Sequence, residues 1–494
     1  MKRQGLKINA ICLLGMFACT TPACKKLIEV GEPINTLTTS EIFSSDATAT
    51  AAMAGVYSTM INGSTTAISA FYTMFSAGFT TSLAGRSADE LYSLSLIQNG
   101  TPDVYRTNKL TALNADGTIW SSAYDIIYKA NSVIEGIQAS ASPALHDQVR
   151  KKLTGQAKFI RAFCYFYLTN FYGDVPMALT VDFNRTANMS RTPQKNVYQQ
   201  IVTDLKDAQA ALAEDYTEGN GERTIPNKWA AALMLARVYL YTGDYGNASA
   251  QAGSIIANTT LFGLETNLNQ VFSSGSKEAV WQLKPTNEDI QLKNATPEGY
   301  SFSPSTLDHH GTVSIGLTNE LLSAFEPDDQ RRLNWVDSTD YPNANPNTYT
   351  YYPNKYTIGR ANGSIGAPSP QYYIVLRLAE AYLIRAEADA NGAPGGASAA
   401  IDDVNTIRHR AGLPDLDANL DQGQLTKAIA KERQVEFFAE WGHRWFDLKR
   451  TGQANTVLSV ITAKQPWLGE GQLLYPIPVA EIKADHFLIQ NPGY

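Results

Sequence analysis

The stretch LARVYLYTGDYGNASA, residues 235–250, sets Leu235, Ala236 and Tyr239 on one side of a break at Gly243, with Tyr245 and Ala248 on the other. Ala236 and Tyr239 share one helix face, as do Tyr245 and Ala248. A small residue on one helix admits a large one from its neighbour, so this spacing predicts two helices packed face to face.

That small/large alternation is the packing device of a tetratricopeptide helix pair. The same Ala-x-x-Tyr step recurs at Ala379 and Tyr382, with Leu378 before it, and at Ala162 and Tyr165. The separations are not multiples of the repeat length of about 34 residues, so the pattern predicts an interrupted helical scaffold rather than a continuous solenoid. Further amphipathic stretches cover 39–60, 120–137, 149–171, 197–212, 229–256, 372–390, 397–410 and 425–441. The first carries Ile42, Phe43, Ala49, Met53, Val56 and Tyr57 at helical spacing, with Thr39 or Ser40 as its N-cap. The expected class is mostly all-α.

Between these stretches, 61–119 and 259–370 lose the helical period and fill with Gly, Pro, Asn, Ser and Tyr. Loops of that length in a compact body are functional or disordered, and their aromatic content speaks against disorder. The chain holds 25 Tyr, 18 Phe and 7 Trp. Flat apolar faces with polar edges suit sugar rings; the plainer reading is that most of these rings form core.

No nucleotide-binding glycine loop, H-E-x-x-H, C-x-x-C or G-x-S-x-G is present. The six His are scattered apart from Asp308-His309-His310, which lacks a second ligand group and reads as a solvated loop. No EF-hand loop occurs, and no metal or other cofactor is expected. Asp89-Glu90 and Glu326 with Asp328-Asp329 are the dense acidic spots of the loop regions; glycoside hydrolysis needs two carboxylates that meet in space. Adjacent acids more often cap helices or pair with arginine, and Arg331-Arg332 follow directly. A formal charge of −7 with 18% charged residues leaves no footprint for nucleic acid or anionic lipid.

The chain begins as a secretory signal would: Met1, Lys2, Arg3 and Lys7 are followed by an apolar run at 8–18 and small or turn-forming residues at 20–23. That run is too short to span a bilayer, where about 20 residues are needed. Ala23-Cys24 resembles a lipoprotein box, with Thr21 where Leu is usual; Ala18-Cys19 competes, and an ordinary cleaved signal is the plainer alternative. The immediate Lys25-Lys26 favours Cys24. Three of the four Cys lie in this segment, leaving Cys164 to pack as a small hydrophobe.

Three further stretches carry a family resemblance: KERQVEFFAEWGHRWFDLKRTG (431–452), RLAEAYLIRAEADANG (377–392) and the closing LLYPIPVAEIKADHFLIQNPGY (473–494). They resemble the SusD/RagB family of nutrient-binding outer-membrane lipoproteins. AYDIIYKANSVIEGI from Ala123, RAFCYFYLTNFYGDVPM from Arg161 and LLSAFEPDDQRR from Leu321 follow in that family's order. Read physically, Glu432, Glu436 and Glu440 recur every four residues, with Arg433, Arg444 and Arg450 at hand. Ion pairs locking the last helices together are expected, because an unpaired charge there is costly.

The resemblance implies tetratricopeptide-like helix pairs in a right-handed superhelix, with irregular loops carrying the binding face. It divides the chain into a removed signal at 1–23 and a single body at 24–494, with a helical part to about 260, a loop-rich insertion at 261–370 and the signature part at 371–494. It implies a surface lipoprotein that captures an oligosaccharide and delivers it to a SusC-like TonB-dependent transporter of the outer membrane, without cleaving it. The loops offer Tyr72, Phe79, Arg86, Asp89 and Tyr105 in the first region and Trp281, Tyr300, Phe302 and Trp335 in the second as ligand candidates. Two other classes remain open: a polysaccharide hydrolase using loop carboxylates, and a tetratricopeptide-type scaffold for protein partners. Replacing Cys24 by Ser is expected to move the protein from the membrane to the soluble fraction with its far-UV circular dichroism unchanged, as fractionation would read.

Overall fold

The computed structural model describes residues 39–62, 74–285, 294–306, 308, 310–341, 349–362 and 367–494; Tyr72, His309 and Cys24 with its signal lie outside them. Helices of eight residues or more are α1 (Asp46–Asn62), α2 (Thr80–Ser87), α3 (Thr118–Ala139), α4 (Asp147–Tyr172), α5 (Gln194–Ala211), α6 (Lys228–Tyr241), α7 (Tyr245–Ile256), α8 (Leu378–Ala390), α9 (Gly396–Arg410), α10 (Gln422–Phe437) and α11 (His443–Arg450). Strands are β1 (Leu91–Ser93), β2 (Ala279–Leu283), β3 (Ile315–Leu317), β4 (Val336–Thr339), β5 (Thr350–Pro353) and β6 (Tyr373–Arg377).

The chain is mostly helical, and the pair read at 235–250 is α6 and α7. Asn227 caps α6 by accepting from Trp229 N and Ala230 N at 3.0 and 3.1 Å, and Asp244 caps α7 through Asn247 N. Ala236 and Ala248 are fully buried. Each helix from α3 to α9 packs on the next in sequence. This holds even for α7 and α8, although residues 257–377 intervene. The interruption is thus an insertion into a continuous stack. Its base is closed by β2, which pairs antiparallel with β6 from Ala279↔Arg377 to Leu283↔Tyr373.

Three stretches depart from the sequence reading. The helix expected at 39–60 is broken after Ile42, and α1 restarts where Ser45 Oγ accepts from Thr48 N at 3.3 Å. The expected 372–390 helix begins as strand β6, because YIVLR is buried on both faces and carries two β-branched residues. The expected 425–441 helix ends at Phe437: Ala439, Trp441 and Gly442 take positive φ of 51°, 48° and 72°. At Gly442 a side chain would also strike Ala84 of α2, with Cβ atoms 2.5 Å apart, so glycine lets α11 turn back against α2.

The main core is strongly aromatic along α4. Phe163 meets Trp281 edge-on at 5.4 Å and Trp441 at 5.5 Å, and Trp441 stacks on Tyr373 at 5.0 Å. Cys164 is buried there, where burial pushes its thiol pKa up. A second apolar cluster joins α8, α9 and α10 through Leu383, Val404, Ile407, Leu425 and Ile429.

The ion pairs expected of the signature are present, with partners drawn from further away. Glu436 is fully buried and accepts from Arg377 Nη1 at 2.5 Å, Arg331 Nη1 at 3.0 Å and Arg410 Nη2. Arg377 also reaches Glu278 and Glu440, each at 2.9 Å. Arg331 holds Glu432 at 2.6 Å and Asp329 at 2.9 Å. Arg450 and Arg433 share Asp447, while Arg444 turns away to Asp89.

Burial pushes the Glu436 carboxyl up, but Arg410, Arg377 and Arg331 pull it well below the usual carboxylate range. Its stabilising effect is therefore complete above about pH 4.5 and fades as pH falls toward its depressed folded pKa. Glu436→Gln, which strips the shared anion from three guanidinium groups, is expected to cost about 3–5 kcal/mol in urea unfolding at neutral pH. Breaking the exposed Lys228–Glu214 pair is expected to cost less than about 1 kcal/mol.

Candidate functional site

β1 and the short strands of the insertion assemble a loop-rich layer. β1 pairs antiparallel with β3, setting Tyr92 opposite Gly316. A Cβ at position 316 would fall 2.4 Å from the Tyr92 ring, so glycine lets that ring lie across the strand. The Arg106 guanidinium sits 4.9 Å above the ring on its way out. β3 packs on β5, which forms a hairpin with β4 from Val336↔Pro353 to Thr339↔Thr350. Leu94, Val313 and Tyr352 make a small apolar underlayer, with Tyr92 and Tyr341 packed against it.

Alternation along β5 leaves Tyr351 partly exposed, with Arg332 4.5 Å over its ring, while Tyr352 turns inward and donates to Asp337 at 2.9 Å. The helical turn Pro297–Phe302 is capped by Thr296 Oγ1, which accepts from Gly299 N at 3.0 Å. It presents Tyr300 at the surface. Arg360 binds this turn to β3: Nε donates to Tyr300 O at 3.1 Å, Nη2 to Ser314 Oγ at 2.8 Å, and the guanidinium lies 5.4 Å over the Tyr300 ring. A cleft of about 210 Å³ beside it is lined by Ser303, Pro304, Thr357, Ile358, Gly359 and Asn362. Elsewhere in the insertion, His310 Nδ1 lies 2.7 Å from the Asp340 carboxylate.

Three partly buried aromatic rings, each with an arginine over it, therefore lie in the loop-built region. Such pairs combine a flat apolar surface with planar N–H donors, the two elements that hold a ring carrying C–H faces and hydroxyl edges.

Of the sequence candidates among the described residues, only Tyr300 reaches the surface of this region. Phe79, Phe302, Trp281 and Trp335 are core: Trp281 meets Phe159 and Phe163, and Trp335 donates to Leu268 O at 3.0 Å. Arg86 is buried against Asp103 at 3.0 Å with Tyr105 beneath it, and the Tyr105 hydroxyl accepts from Asp116 N at 2.7 Å. Asp89 receives both arms of Arg444 at 2.8 and 2.7 Å. In this conformation these side chains are spent on packing and internal pairs, because large aromatics and ion pairs anchor long loops.

Tyr92, Arg106, Arg332, Tyr341, Tyr351 and Arg360 lie in this region and are not among the sequence candidates. The alternation at 348–353 was the available signal for the hairpin.

The acidic spots are likewise engaged. Hydrogen bonding from Arg408 outweighs burial and brings the Glu326 pKa down to about 2. Asp329 is held by Arg331. Burial raises the pKa values of Glu90 and Glu298, the latter to about 8, but both lie in the interior. Among the described residues, no cluster of three His, Cys, Asp or Glu side chains is arranged to hold a metal ion.

A family model described as SusD family matches residues 180–494. The chain belongs to the SusD family. A second model, described as starch-binding and associating with outer membrane, matches residues 46–240. The SusD-family chain is 27% identical over 414 residues to SusD-like protein P2 of Formosa agariphila, spanning 76% of this chain and 80% of that protein. It is 25% identical over 387 residues to a SusD-like protein of Bacteroides ovatus, spanning 69% and 67%. Among solved structures, a laminarin binding SusD-like protein superposes with a TM-score of 0.72 at 22% identity over 92% of this chain and 100% of that one. Surface glycan-binding protein A from Bacteroides thetaiotaomicron gives 0.73 at 20% identity, covering 91% and 99%. The SusD fold is thus shared across almost the whole body.

Hydrogen bonding and charge from Asp340 raise the His310 pKa. The ion pair is then complete below the ordinary histidine pKa of about 6.5 and is lost as pH rises through the higher folded value. Titration by NMR is expected to show the His310 pKa falling toward the ordinary value in Asp340→Asn.

Proposed function

We propose that this chain binds a glycan at the bacterial outer membrane, capturing an oligosaccharide on the loop face and passing it to a SusC-like TonB-dependent transporter. The observation that carries this reading is the set of arginine-backed rings Tyr92, Tyr300 and Tyr351, at 4.9, 5.4 and 4.5 Å from their guanidinium groups. Tyr300 and Tyr351 ride on the insertion and Tyr92 on β1, which pairs with its strand β3, above a helical stack. A rigid base with surface rings favours stacking on sugar at low ordering cost. Relatives named for laminarin binding and surface glycan binding support the same class.

Binding is favoured over hydrolysis by the state of the carboxylates. A retaining or inverting pair must face a shared cleft with one acid's pKa raised. Here the raised acids are interior, and Asp89, Glu326 and Asp329 are neutralised by arginine. Attachment would come from acylation of Cys24. No helix among the described residues is long and apolar enough to cross a membrane, and more than one acyl chain holds a protein stably at a bilayer. The stacked helices would supply the surface that meets the transporter.

Calorimetry against a glycan panel, laminarin-type glucan included, tests capture. Tyr300→Ala is expected to weaken the bound glycan about tenfold, and Arg360→Ala similarly, with unfolding midpoints little changed. Binding untouched by either change would sink the loop-face assignment. Absence of any large β-barrel partner from a detergent pull-down would sink delivery.

A further inference from the structure

Lys464 ends the short turn Thr462–Lys464 and is 1% exposed. Its ammonium is ringed by four neutral oxygens. It donates to Arg86 O at 3.3 Å, Ser87 O at 2.9 Å, Arg106 O at 2.8 Å and Asn108 Oδ1 at 2.5 Å. An ammonium carries three protons, so all of them are shared among these acceptors. Burial pulls this lysine's pKa down to about 7, although the charges of Asp89 and Asp103 pull the other way. A buried charge whose contacts are all neutral is costly to hold. What it adds over an apolar side chain of the same length is the grip on those four oxygens.

That grip falls on a turn that leads into the loop-built region. Asp103 binds the same turn from its other end: Oδ1 accepts from Arg106 N at 3.2 Å and Arg86 Nη1 at 3.0 Å, and Oδ2 accepts from Ser93 N of β1 at 3.1 Å. Asn108 closes the turn with a positive φ of 50°. The Arg106 backbone is thus fixed at its N–H and at its carbonyl, in each case by a charged side chain. Lys464 reaches it from 358 positions away. From this backbone the Arg106 side chain carries its guanidinium to 4.9 Å above the ring of Tyr92, the residue next to Ser93.

We infer that Lys464 is a positioning residue for glycan capture: by clamping Arg106 O and Asn108 against the last turn of α2, it holds the Arg106 guanidinium over Tyr92. This rests on the reading of Tyr92 as a glycan-binding ring. Without the ammonium, three carbonyl oxygens and an amide oxygen converge with no shared donor between them, which is costly for buried acceptors. The turn then relieves that crowding by moving its Arg106–Asn108 end away from α2, while Asp103 keeps its start in place.

The test reads Arg106 directly, by NMR of the detergent-solubilised full chain carrying isotope-labelled arginine, the Arg106 signal being the one lost in Arg106→Lys. Its side-chain protons are expected upfield of their position in Tyr92→Leu, because they lie over the ring face. Lys464→Met is expected to abolish that upfield shift. Should this variant fail to fold, Asn108→Gly carries the same test: it keeps a residue suited to positive φ, removes one of the gripped oxygens and is expected to reduce the shift. Calorimetry with laminarin-type glucan adds the functional readout. Arg106→Ala and Lys464→Met are each expected to weaken binding about tenfold, and the double variant no further than either alone, as residues acting through one contact do. An Arg106 signal unmoved in the folded variants, or losses that multiply in the double variant, would overturn the assignment. Shifts as expected with no glucan bound by the wild type would count against the loop-region reading and leave the positioning of Arg106 standing.

Discussion

Glu436 sits where the segments that carry the fold converge. Arg377 ends β6, Arg410 ends α9, and Arg331 comes from a short helix inside the insertion; all three donate to this one buried carboxylate of α10. Arg377 and Arg410 also hold Glu278, the residue that leads into β2. The network therefore binds both ends of the insertion to the C-terminal helices. Buried charge adds little net stability beside well-packed apolar groups, yet it penalises every arrangement that leaves a partner unpaired. Its role here is to fix how the insertion's base meets the stack.

That role explains what could be read from sequence and what could not. The α6–α7 pair was legible because Ala236, Tyr239, Tyr245 and Ala248 report a local period. The glutamates at 432, 436 and 440 were legible as charges needing partners. Their partners were not, because Arg331 and Arg377 lie far away in sequence and only the folded insertion delivers them. The strand at 373–377 escaped for a related reason: a short apolar run buried on both faces looks the same in a helix or a sheet until its neighbour is known.

The candidate site was less legible still. Trp281 and Trp335 stood out by size, and size is what the core used. The partly buried rings Tyr92 and Tyr351 sit on strands of three and four residues, and only for the second does a short alternation before Pro353 give a local signal. Their arginines come from other segments, so no local spacing announces the pair. Tyr300 was found only because tyrosine in a polar loop is a fair guess for a surface ring.

The antiparallel pairing of β2 with β6 has a consequence for how such a protein can change. Because the two ends of the insertion are bonded to each other, the helical stack senses a fixed gap whatever lies between them. Lengthening a loop whose ends are already joined costs little, about 0.6 kcal/mol per doubling. Loops between Leu283 and Tyr373 can thus lengthen at little cost, provided that Arg331, Trp335 and Lys355 still reach the buried network and core of the scaffold.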